Sequence, residues 1–425
     1  MKRVLLVVIL LMLVFLGLTY WSLSSTDKTF DTCEIIGLSD VEKIDFKAYD
    51  SVLVAASTLY EGNSLKNVMQ GEQYRKAWST PVKVPILYLS DIDDDLKVLE
   101  EGGGKQTHSL KVQRGDGTLM TLRSVSKDPS PLVPKVAKTL GIENIIVDGI
   151  SAQHPYAALV VAKLSEKAKI LNTRPKVVYV PKHEQLSSYN NKYGNRLFLL
   201  EYETKGNANW LGLKNVDSLV DTDNLQELKI NNASRVSIDE KSLVKARLFD
   251  LLIGDWDRHA KQWGWAIENI GDSINAIPLP CDRDNAFFNL EGVLPTIISN
   301  NKFLPEVQSF EKEIDFLSGL ISLFDVYFMR DIPPSVFEQE AKKLQQLLTD
   351  EAIESSFSVW PEDIFELDGR ELISKIKSRR NNLVNYAKLY QQELVKSEKL
   401  TKALKGSEDV KMTKAQMACF NCVID

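Results

Sequence analysis

An almost unbroken apolar run occupies residues 4–23, directly after Met1, Lys2 and Arg3. A helix of this length is about 30 Å long, which is the thickness of the hydrocarbon core of a bilayer. The basic residues ahead of the run favour a cytoplasmic amino end, so the residues after about position 25 are expected on the extracytoplasmic side. Small residues at Ser22 and Ser24 also fit a cleavage site, which leaves removal as a signal peptide open. We expect a membrane-anchored, periplasm-facing protein.

Length and charge exclude some classes of function. The 425 residues are enough for a two-lobed domain or for two ordinary domains. A net charge of -6 offers no broad attraction to phosphate backbones, so we expect no nucleic-acid partner. Cys33 and Cys281 are expected to be single thiols. Cys419 and Cys422 form a Cys-x-x-Cys pair that fits a disulfide, half a metal site or no role.

The apolar pattern divides the chain into five parts. We expect an anchor at 1–25, a loosely packed lead-in at 26–50, a β-rich lobe with a hinge at 51–203, a helical lobe at 204–395 and a frayed tail at 396–425. Together these predict an α+β fold after a transmembrane helix.

Several elements follow from local patterns. Residues 106–112 and 118–125 flank Gly-Asp-Gly at 115–117, which predicts a β-hairpin. Further strands are predicted at 52–56, 82–89, 176–180 and 196–202, and a helix is predicted after Pro155. The capping-box form at 237–240 predicts the start of another helix. Amphipathic helices are predicted at 305–324, 336–348 and 370–394.

The residues that carry chemistry lie in two short segments. Asp257 stands five residues before Gln262 in Asp-Trp-Asp-Arg-His-Ala-Lys-Gln at 255–262, and Asp282 and Asp284 follow about two dozen residues later. Kinases use this spacing for an acid that takes the substrate proton, an amide that holds a metal, and a downstream metal-binding aspartate. The alternative is a capped turn with a salt bridge, in which the tryptophans at 256, 263 and 265 belong to the core.

The order Asp-Arg-His resembles the atypical kinase-like superfamily, which includes HipA-type bacterial kinases, secretory-pathway kinases related to Golgi casein kinase, and phosphatidylinositol kinases. More closely, the chain resembles an uncharacterised envelope family of Bacteroidetes-type bacteria. The matching segments are Tyr-Arg-Lys-Ala-Trp at 74–78, Gly-Gly-Gly-Lys-Gln-Thr at 102–107, Leu-Arg-Ser-Val-Ser-Lys at 122–127, Ser-Ala-Gln-His-Pro-Tyr at 151–156, Arg-Leu-Phe-Asp at 247–250 with 254–259, Leu-Thr-Asp-Glu at 348–351 and Arg-Arg at 379–380. The resemblance covers roughly residues 55 to 395 and implies a two-lobed, protein-kinase-like fold.

The resemblance implies roles for the two segments. Asp257 would be the catalytic base, and His259 would brace its loop. Gln262 and Asp282 would hold Mg²⁺ or Mn²⁺ through oxygen, with Asp284 as the competing metal ligand. On a strand the two aspartates would face the same side. Gln262 departs from the asparagine of the HipA pattern, which puts a second metal in doubt.

The nucleotide contacts are expected from the β-rich lobe. Glycine turns let backbone N–H groups approach phosphate, and Gly102, Gly103 and Gly104 precede the predicted hairpin. Arg123 falls where the phosphate-binding lysine of kinases would lie on an alternating strand, and Lys127 is the alternative. In kinase-like folds the strand that leaves the small lobe becomes a hinge whose backbone binds adenine. That hinge would be residues 200–203, which include Glu201. A solvent-exposed Glu166 is favoured over one that pairs with the cation.

These features predict metal- and ATP-dependent phosphoryl transfer to a hydroxyl-bearing acceptor. The rival from another class is a non-catalytic nucleotide- or ligand-binding module of the envelope. Because free ATP is scarce outside the cytoplasm, another nucleotide donor and a domain that has lost transfer are both open. A serine hydrolase lacks its Gly-x-Ser-x-Gly elbow, and the four dispersed histidines exclude an ordinary zinc site.

Overall fold

The computed structural model describes residues 1–24, 33–37, 40–103, 107–127, 133–298 and 304–422. The strands are β1 (Glu34–Ile35), β2 (Ser51–Ala55), β3 (Val82–Pro85), β4 (Lys97–Gly102), β5 (Ser109–Gln113), β6 (Leu119–Ser124), β7 (Lys176–Val180), β8 (Arg196–Tyr202), β9 (Val216–Asp221), β10 (Val236–Ile238), β11 (Trp263–Ile270) and β12 (Ser273–Pro280). The helices are α1 (Lys2–Leu23), α2 (Ser64–Gln70), α3 (Arg75–Ser79), α4 (Leu89–Ile92), α5 (Lys135–Leu140), α6 (Glu143–Asp148), α7 (Ala157–Lys167), α8 (Asn190–Tyr193), α9 (Thr222–Asn232), α10 (Glu240–Ile253), α11 (Val293–Ile298), α12 (Leu323–Met329), α13 (Pro334–Leu347), α14 (Asp350–Ser356), α15 (Glu362–Ile364), α16 (Arg370–Lys396) and α17 (Lys414–Ala418).

The strands form three sheets, in the orders β1-β2-β3, β4-β5-β6-β8-β7 and β10-β12-β11-β9. In the five-stranded sheet all neighbours are antiparallel, and β5 and β6 form the predicted hairpin. The expected α+β class is therefore confirmed by the structure. The strand predicted at 82–89 is shorter than expected, because it ends at Pro85 and α4 begins at Leu89.

The five-stranded sheet is apolar on one face, and its other face is polar along β6 but apolar where Leu197 and Leu199 of β8 join a second, larger core. Side chains alternate along a strand, so Met120 and Leu122 of β6 pack into a small core, while Thr121 and Arg123 point to the opposite face. Glu201 pairs with Thr121 across β6 and β8 and shares that polar face. The sheet thus presents ionisable side chains on the face that its own small core does not cover.

The main hydrophobic core joins both sides of the boundary expected at residue 203. It contains Val54 and Trp78 from the amino-terminal half together with Leu248 and Ile376 from the helices of the carboxyl half. Hydrogen bonds tie the halves together, since the Tyr74 hydroxyl donates to the Phe287 carbonyl at 2.5 Å. Within the β-rich half, the five-stranded sheet has a second, smaller core on one face.

Two helix predictions agree with the structure. Residues 336–348 and 370–394 correspond to α13 and α16. Helix α16 buries Leu372, Ile376, Leu383, Ala387, Tyr390 and Leu394, which recur at steps of three, four and seven. The predicted capping box was misplaced: Ser237 lies in β10, and Asp239 caps α10 by accepting the Ser242 N–H at 3.0 Å.

The helix predicted at 305–324 is wrong over the described residues. This stretch is mostly irregular, with one short 3-10 turn at Leu317–Leu320 before α12. The Gln308 side chain donates to the carbonyls of Pro305 and Phe316, at 2.9 and 2.8 Å, and so replaces helical hydrogen bonds. Phe310, Ile314, Leu317 and Leu320 are buried without an α-helical backbone.

Over the described residues, the lead-in and the tail are more ordered than expected. In the lead-in, β1 pairs with β2, and Phe46 packs on Tyr179 with ring centroids 5.2 Å apart. In the tail, Leu404 and Phe420 are buried, and Cys419 and Cys422 form a disulfide. The expectation of a frayed tail is wrong because its apolar residues fill separate gaps in the core, without the regular spacing of a helix face.

Candidate active site

The hairpin of β11 and β12 brings the two motif segments together. Residues 257–262 come directly before β11, and residues 281–284 come directly after β12. Trp263 pairs with Pro280, and the Cys281 N–H donates to the Gln262 carbonyl at 3.1 Å. Segments that are two dozen residues apart in sequence therefore meet at the open end of one hairpin.

Asp257 and His259 lie in the first segment. Asp257 is partly exposed, and its Oδ1 is 3.9 Å from His259 Nε2. His259 Nδ1 accepts the Lys261 N–H at 3.2 Å, which places the proton of a neutral imidazole on Nε2. Burial lowers the pKa of His259, although Asp257 opposes the shift. These contacts fit a histidine that braces the loop.

Gln262 is buried beside this histidine. Its side-chain amide lies 3.5 Å from His259 Nε2, and the backbone carbonyl of Gln262 accepts from Arg258 at 3.0 Å. A metal-binding role for Gln262 remains a prediction.

The two downstream aspartates contact different cations. Asp282 meets Arg123 Nη1, and Asp284 lies 2.6 Å from Lys127 Nζ. Both residues lie in a turn after β12, and Asp282 has a left-handed backbone with φ of 54°. The expectation that they share one side of a strand is therefore wrong, because the strand ends at Pro280.

Arg123 links the five-stranded sheet to this turn. Its Nη2 donates to both carboxylate oxygens of Glu201 at 3.0 Å, while Nη1 reaches Asp282. Burial by itself lowers the pKa of the Arg123 guanidinium, but Glu201 and Asp284 outweigh it and raise the pKa above its ordinary value. Burial raises the pKa of Glu201 against the opposing effect of Arg123.

Lys127 makes a second, parallel link. Its ammonium donates to Gln153 Oε1 and to Asp284, both at 2.6 Å, and Gln153 in turn donates to Asn285 at 2.6 Å. Burial favours the neutral form of Asp284, yet Lys127 and Arg123 outweigh it and hold the pKa of that carboxyl below its usual range. Glu166, by contrast, is exposed and pairs with Lys163 at 2.9 Å, as favoured from the sequence.

The glycine turn connects β4 to β5. Gly102 is the last residue of β4, and Gly103 has φ of 111°. A Cβ at Gly103 would lie 2.2 Å from the Thr107 carbonyl oxygen, so the turn requires glycine there. Gly104 lies outside the described residues, and phosphate binding by this turn remains a prediction.

Two backbone N–H donors of the predicted hinge are already hydrogen-bonded within the fold. The Tyr202 N–H donates to the Thr173 carbonyl at 3.0 Å, and the Glu203 N–H donates to the Leu119 carbonyl at 2.9 Å. These two groups are used within the fold and are not offered to an adenine. Glu201 instead contributes its side chain, which holds Arg123.

A buried ionic network behind the motif was missed from the sequence. Asp250 is fully buried and forms ion pairs with three arginines. The nitrogen–oxygen distances are 3.0 Å to Arg247, 3.1 Å to Arg258 and 2.8 Å to Arg283. Arg258 also donates to the Cys281 carbonyl at 2.8 Å, so it joins the two motif segments. The available signal was an arginine and an aspartate, three residues apart, within an otherwise apolar helical stretch.

Asp255 belongs to this network, but the nearby cations only partly balance the negative charge of its carboxylate. Its side chain is fully buried, and neither carboxylate oxygen has a hydrogen-bond partner. Burial raises the pKa of Asp255 to about 7, against the opposing effect of Arg258. Arg258 is 3.6 Å away, but its charge is shared with Asp250, which explains why burial dominates.

The site offers oxygen ligands that suit Mg²⁺ or Mn²⁺ in Asp282, Asp284 and Gln262. Over the described ranges, no cluster of three histidine, cysteine or acidic side chains is arranged to hold a metal by itself. Each aspartate is already neutralised by a cation. Such alternating charges suit a metal that arrives with a phosphate group better than a bare metal ion.

The comparisons with known proteins leave the family open. No family model matches the chain, and no curated protein matches it. Among solved structures, the chain resembles the Helicobacter pylori proinflammatory kinase CtkA, with 13% identity over 73% of this chain and 99% of CtkA and a TM-score of 0.36. It also resembles HipA from the Shewanella oneidensis MR-1 toxin–antitoxin complex with HipB and operator DNA, with 12% identity over 71% of this chain and 68% of HipA and a TM-score of 0.30. Both are similarities with TM-scores below 0.5, so neither activity nor ligands carry over to this chain.

Proposed function

We propose that this protein is an atypical kinase that transfers a phosphoryl group from metal-bound ATP to a hydroxyl acceptor on the extracytoplasmic side of a membrane. One observation carries the proposal. Arg123, on the polar face of the five-stranded sheet, contacts Asp282, whose segment is hydrogen-bonded to the segment of Asp257. The candidate cation and the candidate metal ligand are therefore in contact, and the segment of the candidate base is hydrogen-bonded to the segment of that ligand.

The reaction assigns one task to each side chain. Asp257 orients the acceptor hydroxyl and takes its proton as the oxygen attacks the γ-phosphorus; the bond from that phosphorus to the bridging oxygen breaks, and ADP leaves. Arg123 neutralises charge on the phosphates, and His259 keeps the loop of Asp257 in place. Asp282 would hold Mg²⁺ or Mn²⁺ with Asp284 or Gln262, and the metal would supply charge neutralisation at the phosphate oxygens.

The glycine turn and the amino-terminal helix complete the proposal. Gly102, Gly103 and Gly104 would offer backbone N–H groups to the phosphates. Helix α1 is long and apolar enough to cross a membrane, and the basic Lys2 and Arg3 favour an extracytoplasmic domain. A reporter that is active only in the cytoplasm, fused after residue 425, tests this topology. Activity of the fused reporter would contradict an extracytoplasmic domain.

The test uses the full chain in lipid nanodiscs with ATP and either Mg²⁺ or Mn²⁺. Nucleotide binding is measured by thermal shift, and transfer is measured with γ-labelled ATP. Asp257→Ala should lower transfer by about 10²- to 10⁴-fold while nucleotide binding survives, whereas Asp282→Ala should lose both. Asp272→Ala is the matched control, because Asp272 lies exposed in the turn at the other end of the same hairpin.

The outcomes separate the two classes of function. If the protein binds nucleotide but shows no transfer that requires Asp257, it is a non-catalytic binding module. If Asp282→Ala binds nucleotide and metal as well as the unchanged protein, the proposed site is wrong.

A further inference from the structure

The last turn of α1 is built into the folded domain. The Gln70 side chain donates to Ser22 Oγ at 3.2 Å, and the Asn144 side chain donates to the Leu23 carbonyl at 3.2 Å. Both donors are buried. Cleavage after this helix would take these acceptors away from two buried amides, which costs free energy. The contacts favour a helix that is retained as an anchor.

The rest of α1 is exposed and apolar. All residues of α1 up to Gly17 are exposed, and the helix has a mean hydropathy of 2.7. Tyr20 and Trp21, near the end that meets the domain, are exposed, and such aromatic residues are enriched at the interface between membrane and water. The Tyr20 hydroxyl also donates to the Leu140 carbonyl of α5 at 2.7 Å. This end of α1 therefore marks where the domain meets the bilayer surface.

Exposed apolar side chains surround that end of α1. Val68 on α2 is 62% exposed, Val136 and Leu140 on α5 are 69% and 51% exposed, and Val293 on α11 is 40% exposed. Helix α1 packs against α2, and α2 packs against α11. A Cβ added to Gly292, just before α11, would lie 2.2 Å from the Gly71 nitrogen, so the start of α11 and the end of α2 are in close contact.

Two exposed lysines accompany these side chains. Lys135 and Lys138 lie on α5, next to Val136 and Leu140 in sequence. Apolar side chains beside lysines are the composition of surfaces that lie at the headgroup level of a bilayer with anionic lipids.

We propose that Val68, Val136, Leu140 and Val293 form a membrane-facing surface that rests in the interface of the same bilayer that α1 crosses. The bilayer is the expected occupant because the surface is continuous with the exit point of α1, which fixes it at membrane depth. The domain would then be held against the membrane by two contacts, so that it does not swing freely on a tether. This inference rests on the proposed membrane crossing of α1 and not on the proposed phosphoryl transfer.

The experiment places spin labels on the full chain in liposomes of phosphatidylcholine and phosphatidylglycerol. Cysteines are introduced singly at Val68, Val136 and Val293 in a background in which Cys33 and Cys281 are serine. Paramagnetic resonance then compares the accessibility of each label to oxygen, which partitions into lipid, with its accessibility to a water-soluble nickel complex. Leu389→Cys is the matched control, because Leu389 is also apolar and 42% exposed but lies on α16.

The expected result is an oxygen-to-nickel ratio several-fold higher at positions 68, 136 and 293 than at position 389. Aqueous ratios at all three positions would overturn the proposal. Shielding of the labels from both reagents would also overturn it, because it would indicate that a protein covers the surface. Thermal unfolding of each labelled variant confirms that the labels report on the folded domain.

Discussion

Arg123 and Asp282, 159 residues apart in sequence, form an ion pair between the five-stranded sheet and the turn that follows β12. The same guanidinium holds both carboxylate oxygens of Glu201 at 3.0 Å. The pair therefore connects the candidate nucleotide face of the sheet to the candidate metal ligand.

Exchange of the two candidate cations for alanine decides which one contacts phosphate. Arg123→Ala should weaken nucleotide binding by about 10- to 100-fold, because a hydrogen bond to a charged group contributes roughly 1.5 to 3 kcal/mol. Lys127→Ala should have the smaller effect, because Arg123 lies on β6 itself, whereas Lys127 lies beyond the end of that strand. Isothermal titration with ATP and Mg²⁺ measures both.

Two controls accompany this prediction. Lys111→Ala removes a cation from the same sheet, where Lys111 pairs with Glu100 at 2.8 Å, and should leave binding unchanged. The double change Arg123→Ala with Glu201→Gln avoids leaving a buried carboxylate without its partner. A larger loss for Lys127→Ala than for Arg123→Ala would reverse the assignment.

Asp255 should make stability depend on pH. Its folded-state pKa of about 7 lies above the ordinary value, so its contribution is fully present below the unfolded pKa and is lost as pH rises towards 7. Asp255→Asn removes the charge. The gain in Tm of this variant over the unchanged protein should grow between about pH 4 and pH 7 and then level off.

Thermal unfolding of both proteins across this pH range measures the difference. Asp272→Asn, an exposed change at the turn of the hairpin, should show no such trend. A constant difference between Asp255→Asn and the unchanged protein at all pH values would contradict a raised pKa.

Arg258 should be a large contributor to stability. Arg258→Met leaves Asp250 with one cation fewer and removes the donors to the Cys281 and Gln262 carbonyls. Breaking a buried ion pair on one side costs roughly 3 to 5 kcal/mol. Urea unfolding in mild detergent, followed by tryptophan fluorescence, measures the free energy of unfolding.

An exposed arginine gives the comparison for Arg258. Arg235 donates from the surface to the Asp272 carbonyl at 2.7 Å, and Arg235→Met should cost less than about 1 kcal/mol. Equal effects of the two substitutions would mean that the buried network does not stabilise the domain.

Phe420 should anchor the carboxyl-terminal segment. Its ring is fully buried, and its centroid lies 5.2 Å from the centroid of the Phe328 ring. Phe420→Ala should therefore lower the free energy of unfolding by about 3 to 5 kcal/mol, because it opens a cavity. Leu389→Ala, at an exposed position, should stay within about 1 kcal/mol. Urea unfolding that shows no loss for Phe420→Ala would mean that the segment is peripheral to stability.

The sequence by itself determined the features that depend on local order. Alternation along a strand and the Gly-Asp-Gly turn predicted the hairpin of β5 and β6, and apolar spacing predicted α13 and α16, because these patterns involve residues that are neighbours in the chain. The apolar run of α1 is likewise a local property.

Tertiary structure alone decided which charges meet. Nothing local shows that Arg123 contacts Asp282, that Arg258 joins two segments, or that the N–H groups of Tyr202 and Glu203 are used within the fold. These contacts depend on how the sheets and helices pack, and packing brings together residues that are far apart in sequence. The carboxyl-terminal segment was misjudged for the same reason, since Phe420 is buried by neighbours such as Phe328 and not by a periodic face of its own helix.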